Sequence, residues 1–267
     1  MSRIIHVGAA QLGPLQKSDT REFAVDRMLE LLDQANDRGC NLVVFPELAL
    51  TTFFPRWNID DQLEIDAYFE IEMPNTATQR LFDKAKEYSI GICIGYAELA
   101  EQNGMRRHFN TSILVDPNGG TVGKYRKTHL PGHDEYDPNR TFQHLEKKYF
   151  EEGDTGFRVW RTMGGIFGMC ICNDRRWPET YRVMGLQGVE MVLLGFNTPN
   201  TNPQRPEEEA ELRTFHSDLS VQAGAYQNGT WVVAVAKAGN EDGHELLGGS
   251  TIVHPSGQIL ARTKTLD

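Results

Sequence analysis

The order of apolar and polar positions along the chain predicts strands and helices in turn. Runs of mainly apolar residues are typical of buried strands, and they occupy residues 4–10, 41–45, 90–95, 164–172, 189–196 and 231–236. Between these runs, apolar residues recur at helical spacing, which predicts helices after residue 19, over 76–88, over 178–188 and over 207–227. Strands that alternate with helices in this way predict an α/β fold.

Turn signals add hairpins to this pattern. The Pro-Asn-Gly-Gly segment at 117–120 separates two short strand-like runs, 112–116 and 121–126, and predicts a hairpin. A second hairpin is expected between 251–254 and 259–262. Because hairpins are antiparallel, they make the predicted sheet mixed.

Capping signals and one long irregular stretch complete the outline. Asp19, with Glu22 three positions later, resembles a capping box that would start the first helix, and Gly39 suits the end of that helix. Residues 127–150 are rich in charge and histidine and show little periodicity. A long loop of this kind inside a compact domain is usually functional, so we expect it near the site.

Composition narrows the class of protein. The 267 residues are 39% hydrophobic and 24% charged, which suits one globular domain over 1–267. Residues 260–267 look like a strand and its exit with no capping element after them, so we expect that a C-terminal segment is missing. The formal net charge of −10 argues against nucleic acid as a partner, because phosphate repels an acidic surface.

No apolar stretch is long enough to span a membrane, and the first residues lack the apolar core of a signal peptide. We therefore expect a cytoplasmic protein, in which thiols stay reduced and the four cysteines need not pair.

Cys172 is the first candidate for chemistry. It ends the apolar run 164–172, which places its thiol at the carboxyl end of a strand, where α/β sheets bind ligands. A following helix N-terminus and the adjacent Arg175 and Arg176 would stabilise the thiolate and lower the pKa of the thiol. The alternative is a buried structural cysteine. Cys170 and Cys172 alone do not have zinc spacing, so no metal is predicted.

Glu47 and Lys127 are weaker candidates when each is taken alone. Glu47 follows the apolar run 41–45, and a carboxylate partly removed from water has a raised pKa and can act as a base near neutrality. Lys127 follows the strand 121–126, and an ammonium aimed into a pocket can stabilise an oxyanion. For either residue type, an ordinary surface position is the common alternative.

Three segments in combination resemble a known family. They are VVFPE at 43–47, GKYRKTHL at 123–130 and GMCICNDRRWPE at 168–179. In this order they resemble the signature segments of the nitrilase (carbon–nitrogen hydrolase) superfamily, and the resemblance covers essentially the whole chain. It implies a four-layer α-β-β-α sandwich. It also implies that Cys172 is the nucleophile, Glu47 the general base and Lys127 the oxyanion stabiliser.

Four further segments are similar to N-carbamoyl-D-amino acid amidohydrolases: LALTTFFPRW at 48–57, LPGH at 130–133, FQHLEK at 142–147 and CNDRRWPET at 172–180. This closer resemblance implies that Glu146 is a supporting catalytic carboxylate. It also implies substrate contacts at His129, His144, Asn173, Asn197 and Thr198. Such enzymes use no metal or organic cofactor and form homo-oligomers, so a homodimer or homotetramer is expected.

The substrate follows from a separate argument. Arg175 and Arg176 would oppose the dipole of a helix N-terminus, and an unfavourable local choice hints at function. Their fork geometry suits a carboxylate bound in two places. The arginines thus indicate an anionic substrate, and the D stereochemistry is implied by the resemblance alone. The two together lead us to expect hydrolysis of N-carbamoyl-D-amino acids to D-amino acid, carbon dioxide and ammonia through a covalent cysteine intermediate.

Two alternatives stay open at this point. One is a different enzyme of the superfamily, namely another amidase, a nitrile hydrolase or a β-ureido acid hydrolase. The other is a binding or regulatory protein that has kept the fold and lost catalysis. The presence of Glu47, Lys127 and Cys172 together argues against the second alternative.

Overall fold

Two β-sheets face each other in the computed structural model, which describes residues 3–140, 142–202 and 205–265. The first sheet has the order β1-β2-β3-β4-β5: β1 (Val7–Ala9), β2 (Leu42–Val44), β3 (Gly91–Gln102), β4 (Met105–Val115) and β5 (Thr121–Arg126). Its strands β1, β2 and β3 are parallel, whereas β3, β4 and β5 are antiparallel. The sheet is therefore mixed, as the hairpin signals predict.

The second sheet has the order β13-β12-β9-β8-β7-β6. Its strands are β6 (Val159–Thr162), β7 (Gly165–Ile171), β8 (Met191–Phe196), β9 (Trp231–Ala236), β12 (Thr251–Val253) and β13 (Ile259–Arg262). The central β7, β8 and β9 are parallel, so their carboxyl ends meet at one edge. A separate hairpin, β10 (Ala238–Glu241) with β11 (His244–Leu247), follows β9.

Helices cover the outer face of each sheet. The main ones are α1 (Arg21–Asp37), α3 (Gln79–Glu87), α5 (Pro178–Leu186) and α6 (Ala210–Asn228), with short helices α2 (Gln62–Asp66) and α4 (Glu146–Tyr149). Helices α1 and α3 pack on the first sheet, and α5 and α6 pack on the second. This is the predicted four-layer α-β-β-α sandwich, which is confirmed.

The alternation of side chains along β2 shows how the layers are held together. Val43 points toward α1 and α3, whereas Leu42 and Val44 point toward the second sheet. All three are fully buried, which explains why this strand is an unbroken apolar run. None of the described helices combines the length and the apolar content needed to cross a membrane.

Several element ends differ from the sequence predictions. The N-cap of α1 is Thr20, whose Oγ1 accepts the Phe23 N–H at 3.2 Å. The Asp19 capping box is therefore wrong by one residue, because the Asp19 carboxylate accepts the Gln16 N–H instead. The irregular stretch 127–150 contains α4 and is otherwise a loop, and Thr141 within it lies outside the described residues. The expectation that a C-terminal segment is missing rests on residues 260–267. Of these, residues 266 and 267 lie outside the described part of the chain.

Candidate active site

The backbone of Glu47 is held between the two sheets by two glycines. A Cβ on Gly95 of β3 would lie 2.8 Å from the Glu47 Cα, and one on Gly195 of β8 would lie 2.5 Å from the Glu47 nitrogen. Both distances are far below van der Waals contact, so only glycine fits at these positions. The chain turns immediately afterwards, because Leu48 has a left-handed φ of 47°. Glu47 thus leaves the end of β2 and enters the space between the sheets.

Three charged side chains meet there. The Lys127 ammonium lies 2.7 Å from Glu47 Oε1 and 2.6 Å from Glu146 Oε2, and all three side chains are almost fully buried. Lys127 follows β5, and Glu146 begins α4, so the irregular stretch delivers the second carboxylate. An ammonium has three N–H donors, and these two bonds leave the third for another acceptor.

Burial and ion pairing shift the pKa values of the two carboxylates in this cluster in opposite directions. Burial raises the pKa of Glu47, with a further push from Glu146, and Lys127 only partly opposes this. Burial also disfavours the charged forms of Lys127 and Glu146. For these two, attraction to their neighbours outweighs it, so the pKa of Lys127 is raised and the pKa of Glu146 is lowered. The arrangement therefore favours a Glu47 that can gain and lose a proton beside a permanently charged pair.

Asn110 completes the environment of Glu47, and sequence reasoning missed it. Its side-chain Nδ2 donates to Glu47 Oε1 at 2.8 Å, and its backbone oxygen accepts the Lys127 N–H. The second carboxylate oxygen, Glu47 Oε2, is buried and has no hydrogen-bond partner among the described residues. One oxygen is thus fixed by two donors, and the other is available to a reacting group.

Cys172 lies where β7 ends and a 3₁₀ turn, Cys172–Arg176, begins. Its φ of 47° is unusual for a residue with a side chain. The thiol is 8% exposed, and its Sγ lies 3.9 Å from Thr198 Oγ1 and 3.7 Å from Arg175 Nη1. Its electrostatic partners include Glu47 and Lys127, which places the sulfur beside the charged cluster.

The prediction of a lowered thiol pKa is wrong. Burial first, and then the negative charge of Glu47, raise the pKa of Cys172, and Lys127 and Arg175 do not compensate. The sequence showed the arginines but not the depth of the sulfur or the nearby carboxylate. A thiol in this state needs a base, and the free oxygen of Glu47 suits that role.

Asp174 organises the turn after Cys172 and was also missed. It is fully buried and accepts hydrogen bonds from the Ile171 N–H and the Tyr125 hydroxyl. It also accepts the His129 N–H, and its Oδ1 lies 2.9 Å from His129 Nδ1. Its position two residues after the candidate nucleophile was the signal by which the sequence could have indicated it.

The same contacts describe the surroundings of His129. Its ring is held by Asp174 and stacks on Trp177 at 5.2 Å, and it does not line the cavity that contains Cys172. The substrate contact at His129 therefore stays a prediction, and the ring has a structural role beside Asp174.

Arg175 and Arg176 have different surroundings. Arg175 is buried, donates to the Cys172 backbone oxygen at 2.7 Å and to the hydroxyls of Thr198 and Ser217, and keeps only Nε without a partner. Arg175 therefore stabilises the turn. Most of the guanidinium N–H groups that we expected to bind a substrate carboxylate already have partners within the protein. Arg176 keeps contact with solvent, and its side chain has no hydrogen-bond or ion-pair partner among the described residues.

A cavity of about 370 Å³ opens onto Cys172. Six other predicted site residues line it: His144, Asn173, Arg175, Arg176 and the neighbouring pair Asn197 and Thr198. His144 also reaches Glu146, with its Nε2 at 3.2 Å from Oε1. Asn197 is 3% exposed, and neither of its amide atoms has a hydrogen-bond partner in the described part of the chain. The cavity therefore presents unused polar groups beside the sulfur.

Size alone does not locate this site. A larger cavity, of about 480 Å³, lies at the amino ends of the strands, between residues such as Ile5, Phe167 and Trp231. Among its described lining residues there is no cysteine, and the charged ones are the ion-paired Arg3 and Glu190. Across residues 3–140, 142–202 and 205–265, no group of three or more His, Cys, Asp or Glu side chains could hold a metal ion.

Comparison with known proteins identifies the family. The Carbon-nitrogen hydrolase family model matches residues 6–266. The chain is 27% identical to N-carbamoylputrescine amidase of Solanum lycopersicum over 97% of this chain and 82% of that protein. It is 26% identical to a nitrilase of Pyrococcus abyssi over 97% and 84%.

A solved carbon–nitrogen hydrolase of Helicobacter pylori G27 superposes with a TM-score of 0.80 at 24% identity, covering 97% of this chain and 85% of the other. The folds are therefore alike. From the family match across nearly its whole length, this chain belongs to the carbon–nitrogen hydrolases of the nitrilase superfamily.

Proposed function

We propose that this hydrolase of non-peptide carbon–nitrogen bonds cleaves N-carbamoyl-D-amino acids to the D-amino acid, carbon dioxide and ammonia. The observation that carries the proposal is the buried Glu47–Lys127–Glu146 network beside Cys172, which itself lines a cavity rich in arginine. The network supplies the chemistry, and the cavity selects an anionic substrate.

Each member of the network has a role in the proposed reaction. Glu47 takes the thiol proton through its free Oε2, and the Cys172 sulfur attacks the ureido carbon. The third N–H of Lys127 stabilises the tetrahedral oxygen, since its other two are bound to carboxylates. Glu146 keeps Lys127 charged and in place. Glu47 then returns its proton to the leaving nitrogen and afterwards activates the water that releases the enzyme-bound group.

The charge of the cavity supports a carboxylate on the substrate. Arg176 has no partner among the described residues and follows the Cys172 turn, so it can hold the α-carboxylate of an N-carbamoyl amino acid. The same charge opposes a cationic amine such as N-carbamoylputrescine, the substrate named for one relative. Preference for the D enantiomer is proposed from the resemblance of the segments at 48–57, 130–133, 142–147 and 172–180.

A substrate panel tests the proposal. It comprises N-carbamoyl-D-phenylalanine, its L enantiomer, N-carbamoylputrescine, and a simple aliphatic amide and nitrile, each assayed by ammonia release. We expect turnover of the D compound, poor turnover of its L form, and loss of all turnover in Cys172→Ala. Cys40→Ala serves as the matched control, because Cys40 is a free thiol in another part of the fold.

Three results would contradict the proposal in different ways. Equal rates on both enantiomers would remove the D assignment. A preference for N-carbamoylputrescine, the amide or the nitrile would replace the substrate class. Activity that survives in Cys172→Ala would remove the nucleophile.

A further inference from the structure

The cavity at Cys172 contains more positive charge than one carboxylate requires. Four arginines line it: Arg175, Arg176, Arg205 and Arg213. Among the described lining residues, Glu208 is the one carboxylate. A single substrate carboxylate is usually bound by one guanidinium or two, so the remaining charge needs an explanation.

The existing contacts leave two of these arginines unpaired. Arg213 is committed to Glu208, with Nη1 at 3.3 Å from Oε1, and its Nε donates to the Pro199 oxygen at 2.9 Å. Arg175 braces the Cys172 turn. In the part of the chain that is described, the side chains of Arg176 and Arg205 have neither a hydrogen bond nor an ion pair.

The electrostatics of Arg176 show that it lies close to Arg175 and Arg213. Loss of hydration first, and then repulsion by Arg175 and Arg213, lower the pKa of Arg176 to about 10 against the pull of Glu208. Arg176 stays charged at neutral pH, and an anion placed between these groups would relieve the repulsion.

The two unpaired arginines belong to different walls of the cavity. Arg176 lies on the wall that ends the Cys172 turn, whereas Arg205 precedes α6 on the wall that also contributes Arg213 and His216. His216 of α6 lines the same cavity, and its ring has no hydrogen bond among the described residues. A substrate carboxylate bound by Arg176 would leave the positive charge of Arg205, on the α6 wall, without a negative partner.

A second, independent observation points to a missing ligand. Asn197 is buried in the same cavity, and both atoms of its amide lack partners among the described residues. A buried amide without hydrogen bonds is costly, and a bound polar molecule would satisfy it.

We propose that the α6 wall is a second anion subsite and that Arg205 makes this enzyme prefer N-carbamoyl amino acids with an acidic side chain. The α-carboxylate then binds at Arg176, and the side-chain carboxylate binds at Arg205 with His216 beside it. This inference rests on the proposed function and narrows its substrate class.

The test compares two substrates of nearly equal shape, N-carbamoyl-D-glutamate and N-carbamoyl-D-glutamine. Free amino acid is measured by chromatography, because the glutamine side chain could also release ammonia. We expect kcat/KM for the glutamate compound to exceed that for the glutamine compound by about tenfold or more, the size of one charge-assisted contact. In Arg205→Gln this ratio should fall to near one, mainly through KM. Arg182→Gln removes the same charge from an exposed position on α5, and we expect it to keep the ratio of the unmodified enzyme.

Several results would overturn the inference. One is a kcat/KM ratio of the glutamate to the glutamine compound at or below one in the unmodified enzyme. In that case, turnover of the glutamine compound would still support the proposed function. An Arg205→Gln ratio that stays high would remove Arg205 from substrate selection. Equal losses of kcat on both compounds in Arg205→Gln would mean that the charge acts on the reacting atoms. If no N-carbamoyl amino acid is turned over, the proposed function fails first, and this inference fails with it.

Discussion

At the scale of single residues, the chemistry depends on how the charge on Glu47 is balanced. Lys127 lies between two carboxylates, so it cannot neutralise Glu47 fully. Burial then keeps the pKa of Glu47 above its ordinary value, and the carboxylate becomes a better base than it would be in water. Burial also raises the pKa of Cys172, so its thiol needs a base before it can act as a nucleophile.

The contact between Asn110 and Glu47 gives a prediction about pH. The Asn110 amide donates to Glu47 Oε1, which favours the ionised carboxylate and lowers its pKa. Asn110→Ala removes this bond, so the pKa of Glu47 should rise further. Because activity needs the ionised form, the acidic limb of the kcat/KM–pH profile should move to higher pH by about one unit.

The control for this prediction is Asn118→Ala, an asparagine at the exposed turn between β4 and β5. Its profile should coincide with that of the unmodified enzyme. A shift of the acidic limb toward lower pH in Asn110→Ala would contradict the assignment of that limb to Glu47.

Sequence reasoning found the charged members of the site but not the groups that orient them. Glu47, Lys127 and Cys172 follow strands and belong to recognisable segments, so position and residue type indicate them. Asn110 lies inside a strand, where only the register of β4 against its neighbours places it beside Glu47. The pKa direction at Cys172 depends on burial between two sheets, which no local pattern encodes.

At the scale of elements, one buried carboxylate ties the two sheets together behind the site. Glu241, at the end of β10, accepts hydrogen bonds from the N–H groups of Leu15 and Phe53 at 3.0 and 2.8 Å. It also accepts from the side chains of Arg56 and Lys237, each at 2.9 Å. These four donors join the loop after Glu47 to the carboxyl end of β9. The loop is thereby fixed from outside the cavity.

We call Glu241 and its four donors the clamp. A small change to the Glu241 side chain should lower the stability of the protein strongly. Glu241→Gln keeps the shape of the side chain but leaves two buried cations without a negative partner. Removal of one partner from a buried ion pair typically costs about 3–5 kcal/mol. Denaturant unfolding should therefore show a loss of about 3 kcal/mol or more in the free energy of unfolding, without a change in slope.

Glu179→Gln is the control for the clamp, since Glu179 is exposed on α5 and its loss should change the free energy of unfolding by less than about 0.5 kcal/mol. Equal stabilities of Glu241→Gln and Glu179→Gln would show that the clamp contributes nothing net.

The elements that sequence reasoning missed are mostly at sheet edges or outside the core. The hairpin of β10 and β11 is short and lies outside both sheets, so it lacks an apolar run. Strands β3 and β4 extend far beyond their predicted lengths into a polar hairpin that turns at Asn103 and Gly104. An Asn-Gly pair is a strong turn signal, and it could have been found. Buried strands such as β9 were predicted to the residue, because burial on both faces leaves an unbroken pattern.

At the scale of the whole molecule, helices α5 and α6 present an exposed apolar face. Its members are Val183, Leu186, Leu212, Phe215, Leu219 and Tyr226. Four of them recur on α6 at positions 212, 215, 219 and 226, which is one helical face. Scattered exposed apolar residues are ordinary, but a face shared by two packed helices is typical of an interface.

The predicted homo-oligomer would use this face. Light scattering after size-exclusion chromatography should give at least twice the mass of one chain for the unmodified protein. Leu219→Glu should give the mass of a single chain, because it puts a charge into the buried contact. Leu63→Glu, on the exposed side of α2, should keep the larger mass. A monomeric unmodified protein would remove the prediction.

The central claim is that Cys172 and Glu47 act as one unit, and a double-variant comparison of kcat/KM tests it most directly. The measurement takes the unmodified enzyme, Cys172→Ala, Glu47→Gln and the double variant on N-carbamoyl-D-phenylalanine. Residues that work in a single step lose activity together. We expect kcat/KM to fall by about 1000-fold or more in each single variant and to fall no further in the double variant. Losses that multiply in the double variant, or a single variant that keeps most of its activity, would contradict it.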